Sequence, residues 1–171
     1  VYQALHEAGI EPDWVIGTSI GAINAALIAG NAPEHRLQRL QAFWGLVEVC
    51  APVWGSGIAG VPGFFQWRPE GWINPYLPLG VERASYYDTA ALAHTLDELV
   101  DFARVQAHAT RLTVGAVNVR TGVMRYFDSG KEALGAQHIM ASGALPPAFG
   151  AVRIDGEPYW DGGLYSNTPI E

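Results

Sequence analysis

The sequence predicts a three-layer α/β fold in one domain, with a sheet lying between helices. Three observations carry this. Short β-like apolar runs alternate with stretches of helical periodicity, as they do when helices cover a sheet. Glycine, proline and aspartate fall at the joints between them. The length, 171 residues, suits one domain, and a chain of that size buries roughly 70% of its unfolded surface.

Residues 1–8 read as the end of a helix, with Val1, Leu5 and Ala8 on one face and Gly9 ending it. Residues 13–16 (DWVI) read as a short strand and residues 17–21 as a turn. Residues 22–29 are apolar on nearly every side, which marks a buried helix ending at Gly30. Pro33 opens the next helix, running to about Val47 with Leu37, Leu40, Phe43, Trp44 and Val47 as its apolar stripe. Asp88 caps a helix from Thr89 to about Phe102, with Leu92, Leu96, Leu99 and Val100 facing the core. Residues 112–119 form a strand, and Thr121-Gly122 turns the chain into another over 123–127. A short helix covers 137–143. Residues 152–154 and 157–160 flank Asp155-Gly156, a strong hairpin signal, and lead into Asp161-Gly162-Gly163.

Residues 51–80 differ in character. They hold several glycines and prolines with Trp54, Phe64, Phe65, Trp67, Trp72 and Tyr76, and show no clean period. A disordered linker is poor in aromatics. This segment therefore reads as an ordered, irregular insertion over something apolar: an extra hydrophobic layer, or a lid or acyl-chain channel in which Phe64, Phe65 and Trp67 sense the chain.

The composition excludes some classes. Seventeen acidic and ten basic side chains give a net charge of −7. That argues against nucleic acid as a partner, and against membrane adhesion by charge alone. The longest apolar stretch, 22–29, is broken by Asn24, whereas a membrane span needs roughly 20 apolar residues. Cys50 is the one cysteine, so neither an intrachain disulfide nor a thiolate metal cluster is expected. A cytoplasmic location is the default. The chain has no initiator Met and opens in mid-pattern, so an excised portion of a longer protein is expected.

Gly17-Thr18-Ser19-Ile20-Gly21 is a G-x-S-x-G sequence between a β-like tetrapeptide and an Ala/Ile-rich helix. A serine hydroxyl attacks a carbonyl only if it stands clear of the backbone. A tight strand-to-helix turn achieves that, with small residues on either side relieving the crowding. The helix N-terminus then favours negative charge, and the Ile20 N–H can meet a developing oxyanion. The plainer alternative is a buried Gly-Ser turn that packs a helix on a sheet. A nucleophile needs a base. His6, His35 and His94 lie on helices among charged or polar neighbours and read as surface or satisfied histidines. His108 precedes a strand, and His138 is the tolerable histidine candidate, with no good orienting acid after it. Asp161 is the better candidate. It ends an aromatic strand, and Gly162 and Gly163 allow close approach by backbone or substrate. Taken alone, D-G-G is equally ordinary loop chemistry.

Three blocks in order resemble the patatin-like phospholipases: G-T-S-I-G-A from Gly17, A-S-G-A-L-P-P-A-F from Ala141, and D-G-G-L-Y-S-N-T-P from Asp161. They span Gly17 to Pro169, and residues 48–110 carry none of the three blocks. The resemblance implies a mostly parallel sheet between helices. It implies a Ser–Asp dyad, with Ser19 as nucleophile and Asp161 as its base, and no histidine. It implies acyl-ester hydrolysis through an acyl-enzyme, with no metal or cofactor. The substrate class is a lipid or other acyl ester, met in transient contact with a membrane surface. Gly17, Gly21, Gly162 and Gly163 support the two motifs, and Ile20 supplies an oxyanion N–H. Asn167 and Pro169 are expected to hold the Asp161 loop, and Ser142 is a small residue near the site. The family also opens with a strand and a G-G-G-x-R-G-type oxyanion loop that have no counterpart here, which leaves a strand without its neighbour and predicts low activity. The rival readings are a serine esterase with a histidine base and a non-catalytic lipid-binding or scaffold domain of the same fold.

Overall fold

The computed structural model describes residues 1–49, 66–67, 87–88 and 90–166. The elements run in the order α1 (Tyr2–Glu7), β1 (Trp14–Thr18), α2 (Ile20–Ala29), α3 (Pro33–Val49), β2 (Gln66–Trp67), β3 (Tyr87–Asp88), α4 (Ala90–Leu99), α5 (Phe102–Gln106), β4 (Arg111–Asn118), β5 (Met124–Asp128), α6 (Ala136–Ser142), β6 (Val152–Ile154) and β7 (Glu157–Asp161), followed by a 3-10 turn over Gly162–Leu164. The α/β class expected from the sequence is the one observed. The expected insertion at 51–80 lies outside the described residues except for β2, which pairs antiparallel with β3.

β4 is the central strand. Leu112 to Val117 are buried at six successive positions, and since strand side chains alternate, both faces of β4 are covered. β1 pairs parallel with β4, Thr18 opposite Gly115. β5 pairs antiparallel with β4, Thr113 opposite Asp128, and β7 pairs antiparallel with it, Ala116 opposite Asp161. β6 pairs antiparallel with β7. Among the described strands the sheet is therefore mixed, with β1–β4 as its parallel pair. The reason is local: β4–β5 and β6–β7 are joined by short turns, which only antiparallel neighbours can use. Gly122 and the Asp155-Gly156 pair sit at positive φ in those turns, as the hairpin signal requires.

α2 packs on β1 and β4, α6 packs on β4, β6 and β7, and the two helices touch. Seven of the ten α2 residues are buried, so its polar Asn24 needs a partner, and Oδ1 accepts a hydrogen bond from Trp44 Nε1 of α3 at 2.9 Å. Leu96 of α4, Val105 of α5 and Phe43 of α3 close the same core. The helix expected over 89–102 is instead two. Asp88 closes β3, and the chain breaks after Leu99. Asp101 then caps α5 by accepting the Arg104 N–H at 3.1 Å. β1 runs two residues further than expected, because Gly17 and Thr18 stay in register with β4.

Arg36 of α3 is 2% exposed. Its guanidinium donates to Glu11 Oε2 (2.6 Å), Thr110 Oγ1 (2.6 Å) and the Asn31 carbonyl (3.1 Å), tying the segments before β1 and β4 to the helical layer. Burial pushes the Glu11 carboxyl up, but hydrogen bonds from His6, Tyr2 and Arg36 outweigh it and hold Glu11 below its usual range. The Tyr2 phenol is pushed up to about 12, by burial first and by its bond to Glu11 second. No helix among the described residues is long and apolar enough to cross a membrane.

Candidate active site

The turn between β1 and α2 consists of Ser19 alone. Its backbone lies at φ 56°, ψ −127°, a region non-glycine residues rarely occupy and one that costs on the order of 1–3 kcal/mol. α2 starts at Ile20, and the Ala22 N–H already donates to the Ser19 carbonyl at 2.9 Å. This compression explains Gly17: a Cβ there would sit 2.2 Å from the Gly21 carbonyl oxygen. Ser19 is half-buried and Ile20 is 59% exposed. As the first residue of α2, Ile20 carries an N–H with no intrahelical acceptor.

Asp161 reaches Ser19 through the sheet. One edge of β4 takes β5 over Thr113 to Val117. The other edge must then carry both remaining neighbours: β1 over Arg111 to Gly115, and β7 over Ala116 to Asn118. β1 runs parallel to β4 and β7 antiparallel, so their C-terminal ends meet head-on between Gly115 and Ala116. Thr18 and Asp161 are the residues at that junction.

The side chains complete the arrangement. Ser19 Oγ donates to Asp161 Oδ2 at 2.6 Å, and Asp161 Oδ1 accepts the Gly163 N–H at 2.7 Å. The Asp161 N–H donates to the Ala144 carbonyl at 2.9 Å, and the residue is 3% exposed. Gly162 lies so close to β4 that a Cβ would come within 2.6 Å of the Gly115 carbonyl oxygen. The structure thus brings Ser19, Ile20 and Asp161 together, with Gly17, Gly21, Gly162 and Gly163 around them. Asn167 and Pro169 lie outside the described residues.

His138 is engaged elsewhere. Its Nδ1 accepts the Gly135 N–H at 3.0 Å, and its ring packs edge-on against Phe127 at 4.9 Å between centroids. Burial pushes its pKa down from the ordinary 6.5. His6 pairs with Glu11 at 2.6 Å, and His94 with Glu98 at 3.3 Å on the α4 surface. Ser142 is one residue whose part the sequence did not give: its Oγ accepts the Ser19 N–H at 2.9 Å.

The sequence profile of the patatin-like phospholipases matches residues 1–171, the whole chain. The chain belongs to that family. No curated protein matches it. Among solved structures, this patatin-like chain is similar to VipD from Legionella pneumophila, with a TM-score of 0.57 and 18% identity. That alignment covers 99% of this chain and 44% of VipD, so the chain spans under half of that protein's length. At this identity the likeness shows the fold alone.

Proposed function

We propose that this chain carries the core of a lipid acyl hydrolase that cleaves carboxylic esters through a Ser19–Asp161 dyad. The observation that supports it most is the 2.6 Å hydrogen bond from Ser19 Oγ to Asp161 Oδ2, with the other carboxylate oxygen held by the Gly163 N–H. Ser19 Oγ attacks the ester carbonyl as its proton passes to Asp161 Oδ2. The oxyanion of the tetrahedral intermediate lies against the α2 N-terminus, where the Ile20 N–H donates to it. The intermediate collapses, the C–O bond to the alcohol breaks, and the alcohol leaves with the proton from Asp161. Water then attacks the acyl-Ser19 ester, giving its proton to the Asp161 carboxylate. The fatty acid departs and Ser19 recovers its hydrogen. The exposed Ile20 beside the nucleophile suits an apolar acyl chain drawn from a membrane surface in transient contact.

The test is an intact-mass measurement after exposure to a fluorophosphonate, which traps activated serines. One adduct is expected on the chain and none on Ser19→Ala. Asp161→Asn should label and turn over an ester at least ~10²-fold more slowly, the range of one general base. His138→Ala should label like the parent. A strong loss in His138→Ala with an active Asp161→Asn would assign the base to histidine. Fatty-acid binding that survives Ser19→Ala, with no adduct on the parent, would make this a non-catalytic lipid-binding domain.

A further inference from the structure

We propose that Ser142 is a positioning residue for the nucleophile, holding the Ser19 backbone in the conformation that presents its hydroxyl to Asp161. This rests on the reading of Ser19 as the nucleophile. Ser142 is the last residue of α6 and is 0% exposed, so water does not satisfy its hydroxyl. That hydroxyl donates to the Gly115 carbonyl at 2.6 Å and accepts the Ser19 N–H at 2.9 Å. A serine hydroxyl has one hydrogen. With it committed to Gly115, only a lone pair faces Ser19, and the direction of the link is set.

The Ser19 amide has nowhere else to go. β1 ends at Thr18 and α2 begins at Ile20, so neither the strand ladder nor the helix provides an acceptor. An unpaired amide at a strained φ of 56° would favour relaxation of the turn. Ser142 supplies the missing acceptor and fastens it to Gly115, the β4 residue opposite the end of β1. Two residues on, the Ala144 carbonyl accepts the Asp161 N–H at 2.9 Å. The three residues 142–144 therefore hold one backbone group of each dyad member and set their separation. The Ser19 N–H, taken by Ser142, is withdrawn from oxyanion binding, which leaves that task to the Ile20 N–H.

The experiment compares fluorophosphonate labelling rates, and kcat and KM on a short-chain p-nitrophenyl ester, well below each variant's thermal midpoint. Ser142→Ala should label at least ~10-fold more slowly, with kcat reduced in proportion and KM within about twofold. Ser142→Cys preserves the packing but replaces the hydroxyl with a weak acceptor, so it should also be slow. Thr110→Val is the stability control. It removes a buried hydroxyl bonded to Arg36, ahead of β4, and should lower the thermal midpoint without slowing labelling. Parent-like labelling of Ser142→Ala would overturn the proposal, as would equal slowing in Thr110→Val. If Ser142→Ala does not fold, the same comparison with Ser142→Cys decides. A folded parent that takes no label removes the nucleophile reading and this proposal with it. A labelled parent beside an unaffected Ser142→Ala removes this proposal alone.

Discussion

The glycines of the G-x-S-x-G motif differ in what they are needed for. At Gly17 a methyl group would stand 2.2 Å from the Gly21 carbonyl oxygen, with the Gly21 carbonyl carbon at 2.4 Å and the Ala22 nitrogen at 2.6 Å, all backbone atoms that cannot swing aside. At Gly21 a Cβ would meet nothing within 4 Å among the described residues beyond its chain neighbours and the backbone of its own helix. Gly162 resembles Gly17, with the Gly115 carbonyl at 2.6 Å. Gly17→Ala and Gly162→Ala should each destabilise the chain by about 1–3 kcal/mol or more and displace Ser19 or Asp161. Gly21→Ala should be neutral or stabilising by up to ~1 kcal/mol, because alanine is the better helix former. Denaturant midpoints order the three variants. Labelling rates then show whether the costly substitutions also part Ser19 from Asp161. A Gly17→Ala protein with a parent-like midpoint would contradict the steric account.

α6 carries the buried Ser142 at one end and a buried imidazole, His138, nearer the other. Burial lowers the His138 pKa, outweighing the upward pull of Gly135, Glu132 and Asp155, while Arg125 adds to the fall. The native chain therefore binds a proton at His138 less readily than the unfolded chain does. The stability linked to His138 is complete above its ordinary value of 6.5, where both states are neutral. It is lost as pH falls from there through the depressed native value. The thermal midpoint should drop as the pH falls below about 6.5, and His138→Gln should flatten that part of the profile. The depressed carboxylates act lower down. Asp128, held down chiefly by its two hydrogen bonds from Arg111, and Glu11 lose their contributions only below the ordinary carboxylate range. An unchanged slope in His138→Gln would place the sensitive group elsewhere. α6 itself was legible from its sequence, nearly to its ends, and so were the two motifs that carry Ser19 and Asp161. The part of Ser142 was not, because its two partners lie 123 and 27 residues away, and no local pattern encodes a hydrogen bond across such separations. Arg36 was missed for the same reason. A single arginine in a helix carries no sign that three groups from three segments surround it.

For the whole molecule, alternation of strand and helix was enough to read the α/β class, and the hairpin signals to read the local turns. The sheet order was not readable, because it depends on which edge of β4 each strand takes. That choice is what aligns β1 and β7 end to end and brings Ser19 to Asp161. It also leaves β1 at the end of the sheet, its outer edge unpaired among the described residues. Beside it runs a groove of about 710 Å³ lined by Leu5, Trp14, Ile16, Ile28, Leu40 and Trp44. Trp14 is 49% exposed and Ile16 42%. An open ladder beside exposed apolar side chains is a template for another strand, and proteins commonly block such edges with lysine. The chain is therefore expected to self-associate as its concentration rises, with the β1 edge as the contact. Light scattering across a dilution series should show the average mass climbing for the parent. Ile16→Lys should stay monomeric over the same range, with the fluorophosphonate adduct on Ser19 retained. A parent that remains monomeric at high concentration would show that other residues of the chain already cover this edge. Association that survives Ile16→Lys would move the contact to another surface.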